Sequence, residues 1–193
     1  MNKGCLGVAV IFGGLILLGL ILVMYGIGFN NSLIRMNEGI DNQWAQIDNQ
    51  LLRRSDLIPN LVNTVKGYAK HEQEIFTNLN NARNQLLAAN TVAAKAQAAG
   101  TFEGALNRLM AVVENYPNLK ADQQFLRLQD ELAGTENRLA YERKTYNDLV
   151  REYNTKIKQF PGAILAGIFG AKARDYFEVP EAAKQTPVVD FGS

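Results

Sequence analysis

LGVAVIFGGLILLGLILVMYGIGF, residues 6–29, sits in a run that carries no charge between Lys3 and Arg35. At ~1.5 Å of rise per residue, a helix of this length covers the ~30 Å hydrocarbon thickness of a bilayer. The run therefore reads as a transmembrane helix, with Leu6, Phe12, Leu18, Leu22 and Phe29 among its spanning residues. The apolar core of a cleaved signal peptide is usually only about 7–15 residues and leads to a small-residue cleavage site. Here the run closes on Met24, Tyr25, Gly26, Ile27, Gly28 and Phe29, so it is expected to stay as an anchor. Tyr25 and Phe29 supply the aromatic rings that favour headgroup depth.

The remainder of the 193 residues is the size of one soluble domain. Net charge is +1 with both signs interspersed, whereas a nucleic-acid footprint needs a basic stripe, so nucleic acid is excluded as a partner. Cys5, the single cysteine, has no intrachain disulfide partner, and it precedes the apolar run where a lipoprotein signal would place its cysteine afterwards. Lys3 and the α-amino group flank one side of the anchor and Arg35 the other, which leaves the positive-inside signal near balance.

After the anchor, apolar residues fall at Leu33, Met36, Ile40, Trp44, Ile47, Leu51, Ile58, Leu61 and Val65, then Ile75, Leu79, Ala82 and Leu86. These steps of 3, 4 or 7 are the repeat of helices that bury one narrow, coiled-coil-like seam. Pro59 admits two readings: one kinked helix, because the seam keeps phase, or two helices with Ser55 or Asp56 capping the second. Gly67 is a second weak point. Residues 90–101, NTVAAKAQAAGT, have little to bury and read as a mobile connection, with Thr101 capping a short helix that Tyr116-Pro117-Asn118 stops. A last long helix over 120–158 is expected to seat Phe125, Leu128, Leu132, Leu139, Tyr146, Leu149, Tyr153 and Phe160 in a seam, with Glu136 and Arg143 on solvated flanks. The core candidates are thus Trp44, Ile47, Leu51, Leu61, Val65, Leu128, Leu132 and Leu149, and Trp44 is expected to find its indole partner in Asp48 or a nearby amide.

Phe160-Pro161-Gly162 breaks that helix and leads into AILAGIFG at 163–170, bracketed by Lys156, Lys158, Lys172 and Arg174. It is too short to span a bilayer. Ile164, Leu165, Ile168 and Phe169 are candidates either for contact with the headgroup boundary, where lysines meet anionic lipid, or for a plug on the open end of the bundle. The organisation read from sequence is an anchor at 1–29, a helical bundle at 30–160, this apolar segment at 161–174 and an extended tail at 175–193.

Catalytic patterns do not emerge. His71 is the one histidine, and its neighbours Glu72 and Glu74 lack the Glu-x-x-His pair that a carboxylate-bridged metal site in a bundle uses. Ser32, Ser55 and Ser193 lie outside any nucleophile elbow, and the glycines make no phosphate loop. The expectation is no catalytic residue, no cofactor, no metal and no small-molecule substrate.

The segments Trp44-Ala45-Gln46-Ile47-Asp48, Ser55-Asp56-Leu57-Ile58-Pro59-Asn60-Leu61, Tyr116-Pro117-Asn118-Leu119 and Phe160-Pro161-Gly162 make the chain resemble the bacterial LemA family over nearly its whole length. The resemblance implies an all-α protein, an N-terminal transmembrane helix followed by an up-and-down four-helix bundle. It also implies a single-pass protein of the bacterial inner (plasma) membrane with its N-terminus outside and its bundle cytoplasmic. Function is expected to be that of a non-enzymatic envelope scaffold, a homo-oligomer that organises or shapes the lipid bilayer. The alternative is an adaptor that docks an unidentified protein partner such as a membrane protease or signalling protein.

Overall fold

The computed structural model describes the backbone of residues 3–69 and 71–178, with side chains described from residue 11 onward. The Leu6 side chain and residues 179–193 of the expected tail lie outside the described residues. Among the described residues every regular element is helical: α1 (Lys3–Lys66), α2 (Gln73–Ala88), α3 (Val92–Val113), α4 (Pro117–Lys120), α5 (Gln123–Lys158) and α6 (Gly162–Phe169). The chain divides into two compact units, Met1–Asp41 with Leu149–Arg174, and Asn42–Asp148 with Asp175–Ser193.

The second unit is an up-and-down bundle of four helices, and side-chain pairs give each direction. Lys66 lies over the Phe76 ring while Arg83 reaches Ser55, so α2 runs back along α1. Lys95 pairs with Asp48 at 2.8 Å and Glu103 with Arg54 at 2.8 Å, so α3 runs parallel to α1. Gln43 donates to the Glu142 carbonyl at 3.2 Å and Tyr68 to Asp122 at 2.9 Å, so α5 is antiparallel again. Ile47, Ile58, Leu61, Val65, Leu79 and Leu109 are sealed from solvent in the core.

Pro59 sits inside a continuous α1. A proline removes the N–H that would have bonded the carbonyl four residues earlier, which here is that of Ser55. The Arg83 Nε donates to that carbonyl at 2.8 Å and replaces the missing donor from a neighbouring helix. Ser55 is not a cap; its hydroxyl donates to the Leu52 carbonyl at 2.8 Å. The helix ends instead at Lys66, just before Gly67.

Residues 90–101 are not a loose connection. Thr91, not Thr101, caps α3 by accepting from the Ala94 N–H at 3.2 Å, and Ala96, Ala98, Ala99 and Gly100 are buried. Small side chains here suit the close pairing of α2 with α3, where larger ones would hold the backbones apart. Pro117 opens the short α4, consistent with proline at a first helical turn.

Along α5, Phe125, Leu132, Leu139, Tyr146 and Tyr153 are buried at strict seven-residue intervals. Leu128 and Leu149 are half-buried, because the second stripe of the seam passes through Thr135, Val150, Asn154 and Ile157. A straight helix drifts against a seven-residue repeat, so the inward face moves from one flank to the other. Trp44, also half-buried, packs on Tyr146 at 5.9 Å and Phe177 at 6.0 Å between ring centroids, while Asp48 is taken by Lys95. Glu136 and Arg143 do not sit on an open flank. With Glu103 they surround Arg54, which is 5% exposed, and burial pushes the Glu103 carboxyl up.

In the first unit, Asn37 bonds the Tyr153 hydroxyl at 3.4 Å and Lys156 reaches Ser32, so α5 lies antiparallel to α1. α6 follows a cis Phe160–Pro161 peptide and is closed by Gly170 at φ 66°, with the Ala171 N–H donating to the Ala166 carbonyl at 2.9 Å. The glycine serves there as the left-handed C-terminal cap.

Candidate membrane-contact site

α1 is the helix, among the described residues, long and apolar enough to cross a membrane. Phe12, Leu18 and Leu22 stand 63%, 53% and 61% exposed, along with their neighbours from Ile11 to Val23. A contiguous apolar surface of this size marks a place where something other than water is the solvent. Phe29 behaves differently. It is buried, with the Lys156 ammonium 5.8 Å above its ring and Gly162 against its edge.

α6 is assembled on that spot. A Cβ on Gly162 would lie 2.3 Å from the Lys156 carbonyl oxygen and 3.0 Å from the Phe29 Cε2, so only glycine lets α6 begin so close to α5 and α1. At the other end of α6, the Phe169 ring tip approaches Gly26 of the anchor, 3.9 Å from where a Cβ would stand. Between these points α6 turns Gly162 and Ala166 inward and Ile164 and Ile168 outward, at 59% and 69% exposure. Leu165 is half-buried and Phe169 exposed.

Phe160, expected in the α5 seam, lies in the turn between α5 and α6 and is 84% exposed, while Ile164 and Ile168 form the outward row of α6. Residues four apart share a helix face, as do the buried 162 and 166 on the opposite side. That arrangement places small side chains against protein and large ones away from it, the reverse of what a water-facing helix requires. Ile164 and Ile168 are turned away from the protein. The signal that could have foretold this face is the pair of small residues Gly162 and Ala166 one turn apart; the fit of Gly162 against Phe29, 133 positions earlier, has no local trace.

Charge is segregated between the two units, although it is interspersed along the chain. The first unit holds seven basic against three acidic residues, a net +4, and the second 13 basic against 16 acidic, a net −3. Within the first, Arg174 pairs with Asp41, and its backbone is clasped by Asn154, whose side chain accepts from the Arg174 N–H at 2.8 Å and donates to its carbonyl at 2.9 Å. Lys156 is held by neutral partners, the Ser32 hydroxyl and the Phe29 ring. A cleft of about 410 Å³ opens beside it, lined by Tyr25, Phe29, Arg151, Glu152 and Gln159 among others.

Comparison with known proteins places the chain among named relatives. The chain is 28% identical over 185 residues to magnetosome protein MamQ 2 of Paramagnetospirillum magneticum, covering 82% of this chain and 68% of that protein. Magnetosome protein MamQ of Magnetospirillum gryphiswaldense matches at the same identity and coverage. Protein LemA of Metamycoplasma hominis is 26% identical over 148 residues, 74% of this chain and 65% of its own length. Together with the long apolar helix, these relatives mark a membrane-associated protein. The sequence profile of the LemA family matches residues 43–191, which is most of the chain, and the protein belongs to the LemA family.

Proposed function

We propose that this protein is a non-enzymatic membrane scaffold of the bacterial envelope, spanning the inner membrane through residues 6–29 and touching the same bilayer again through α6. The observation that carries this reading is the inverted sidedness of α6: glycine and alanine face protein while Ile164 and Ile168 face outward beside the end of the anchor. In water such a face is unfavourable; at the boundary of headgroups and acyl chains it is favoured by burial of its apolar area. On the bundle side of the anchor this unit holds six basic against three acidic residues, a net +3 that suits an anionic leaflet, which supports a cytoplasmic bundle with the N-terminus outside. Self-association is supported by Gly13, Gly14 and Gly19, which present open backbone on the anchor where a second helix can pack closely. A strictly monomeric particle in lipid nanodiscs would remove that part of the reading.

The membrane contact is tested by placing tryptophan at position 168 in a Trp44→Phe background and reconstituting the full-length chain with lipids brominated along their acyl chains. Strong quenching of the Ile168→Trp fluorescence is expected. Fluorescence unaffected by bromine would show that α6 stays out of the bilayer.

A further inference from the structure

We propose that the cleft beside Lys156 binds the phosphodiester of one anionic phospholipid headgroup, an inference that rests on the membrane-contact reading above and specifies its ligand. Position comes first. Tyr25 and Phe29 wall the cleft at the end of the exposed apolar run, the level at which headgroups begin. A lipid whose phosphate lies in the cleft has its acyl chains alongside the exposed Ile21, Leu22 and Met24 of the same helix.

Charge comes second. Arg151, Glu152 and Lys156 are the charged residues of the lining. Glu152 precedes Lys156 by one turn, in the orientation that favours an ion pair on a helix. The Lys156 ammonium is nevertheless drawn to Ser32 and to the Phe29 ring, both neutral, and remains half-buried at the cleft wall with its charge uncompensated by either partner. An ammonium on a flexible stem, retained beside an aromatic ring at headgroup depth, has a phosphate oxygen as its natural counter-ion. The volume of about 410 Å³ admits a glycerophosphate headgroup rather than a bare ion alone. Gln159 adds a neutral amide at the same wall.

The test uses the full-length protein in nanodiscs of phosphatidylcholine with phosphatidylglycerol as the minor anionic lipid, transferred to a neutral detergent for native mass spectrometry of the retained lipids. Wild-type protein is expected to retain phosphatidylglycerol over phosphatidylcholine by about fivefold beyond their bulk ratio, the increment of one lysine at a membrane surface. Lys156→Gln is expected to bring that ratio to the bulk value, Lys156→Arg to keep it, and Lys158→Gln, outside the lining, to leave it in place. Retention at the bulk ratio by wild type, or a preference that survives Lys156→Gln, overturns the proposal. Displacement of phosphatidylglycerol by millimolar inorganic phosphate would identify a free-phosphate site and overturn the assignment to lipid. The Ile168→Trp chain in the same nanodiscs separates the two levels: quenching without lipid preference refutes this inference alone, whereas absent quenching refutes the membrane contact beneath it.

Discussion

α2 turns Phe76, Leu79, Ala82 and Leu86 inward and leaves Asn78, Asn80, Asn81 and Asn84 exposed, whereas α6 turns Gly162 and Ala166 inward and leaves Ile164 and Ile168 exposed. Both are short helices that meet other helices along one face. What differs is the kind of side chain left on the far side. In α2 the inner face is held by burial of large apolar groups, and its amides meet water. In α6 the inner face is held by close backbone approach, and the large groups are left exposed. Burial alone, without sidedness, would have placed both helices in the same category.

The contrast is broken most directly by truncating one large apolar residue on each helix. Leu79→Ala is expected to lower unfolding stability by about 3 kcal/mol, because the cavity it leaves is fully enclosed. Ile168→Ala is expected to change it by less than about 0.5 kcal/mol, since the side chain already lies outside the protein. Denaturant unfolding of the full-length protein in mild detergent, followed by helical circular dichroism, measures both; equal losses would abolish the distinction.

The converse substitution is expected to injure α6 instead. Gly162→Ala forces a methyl group into the Lys156 carbonyl and the Phe29 ring, with a cost of about 2 kcal/mol in the docking of α6. Hydrogen exchange over residues 162–169 should accelerate while exchange in α2 is unchanged, and unaltered protection of α6 would show that the close fit is dispensable.

A smaller effect sharpens the role of α2. Arg83→Leu leaves the Ser55 carbonyl without the donor that stands in for the Pro59 N–H, at a cost of about 1 kcal/mol. In a Pro59→Ala background the backbone supplies its own donor, so the same Arg83→Leu change should then cost measurably less. An identical cost in both backgrounds would assign Arg83 some other role.

Much of this architecture is legible in the order of residues. Helix periodicity and the break at Phe160-Pro161-Gly162 are local patterns, and both appear in the structure, where α5 ends at Lys158 and α6 begins at Gly162. Pro59 divides two readings at sequence level because its effect on α1 depends on whether a donor arrives from elsewhere, and Arg83 lies 28 positions away from the carbonyl it serves. The alanine-rich 92–100 looks poor in burial for a related reason. Small residues stabilise a helix only when a partner backbone comes close, and α2 provides one.

The sequence by itself determined that the chain is helical, which stretch is long and apolar enough to cross a membrane, and which residues repeat in seams, because periodicity and hydropathy are properties of neighbouring positions. Only the tertiary structure decided which face of α6 looks outward, how Phe29 is removed from the apolar surface, and that a chain of net +1 gathers +4 around its anchor. Those outcomes depend on long-range packing of α5 and α6 onto α1, where the shape of a single glycine sets the approach. A linear pattern records what each residue prefers. The folded chain decides which of those preferences is met by protein and which side chains are left exposed.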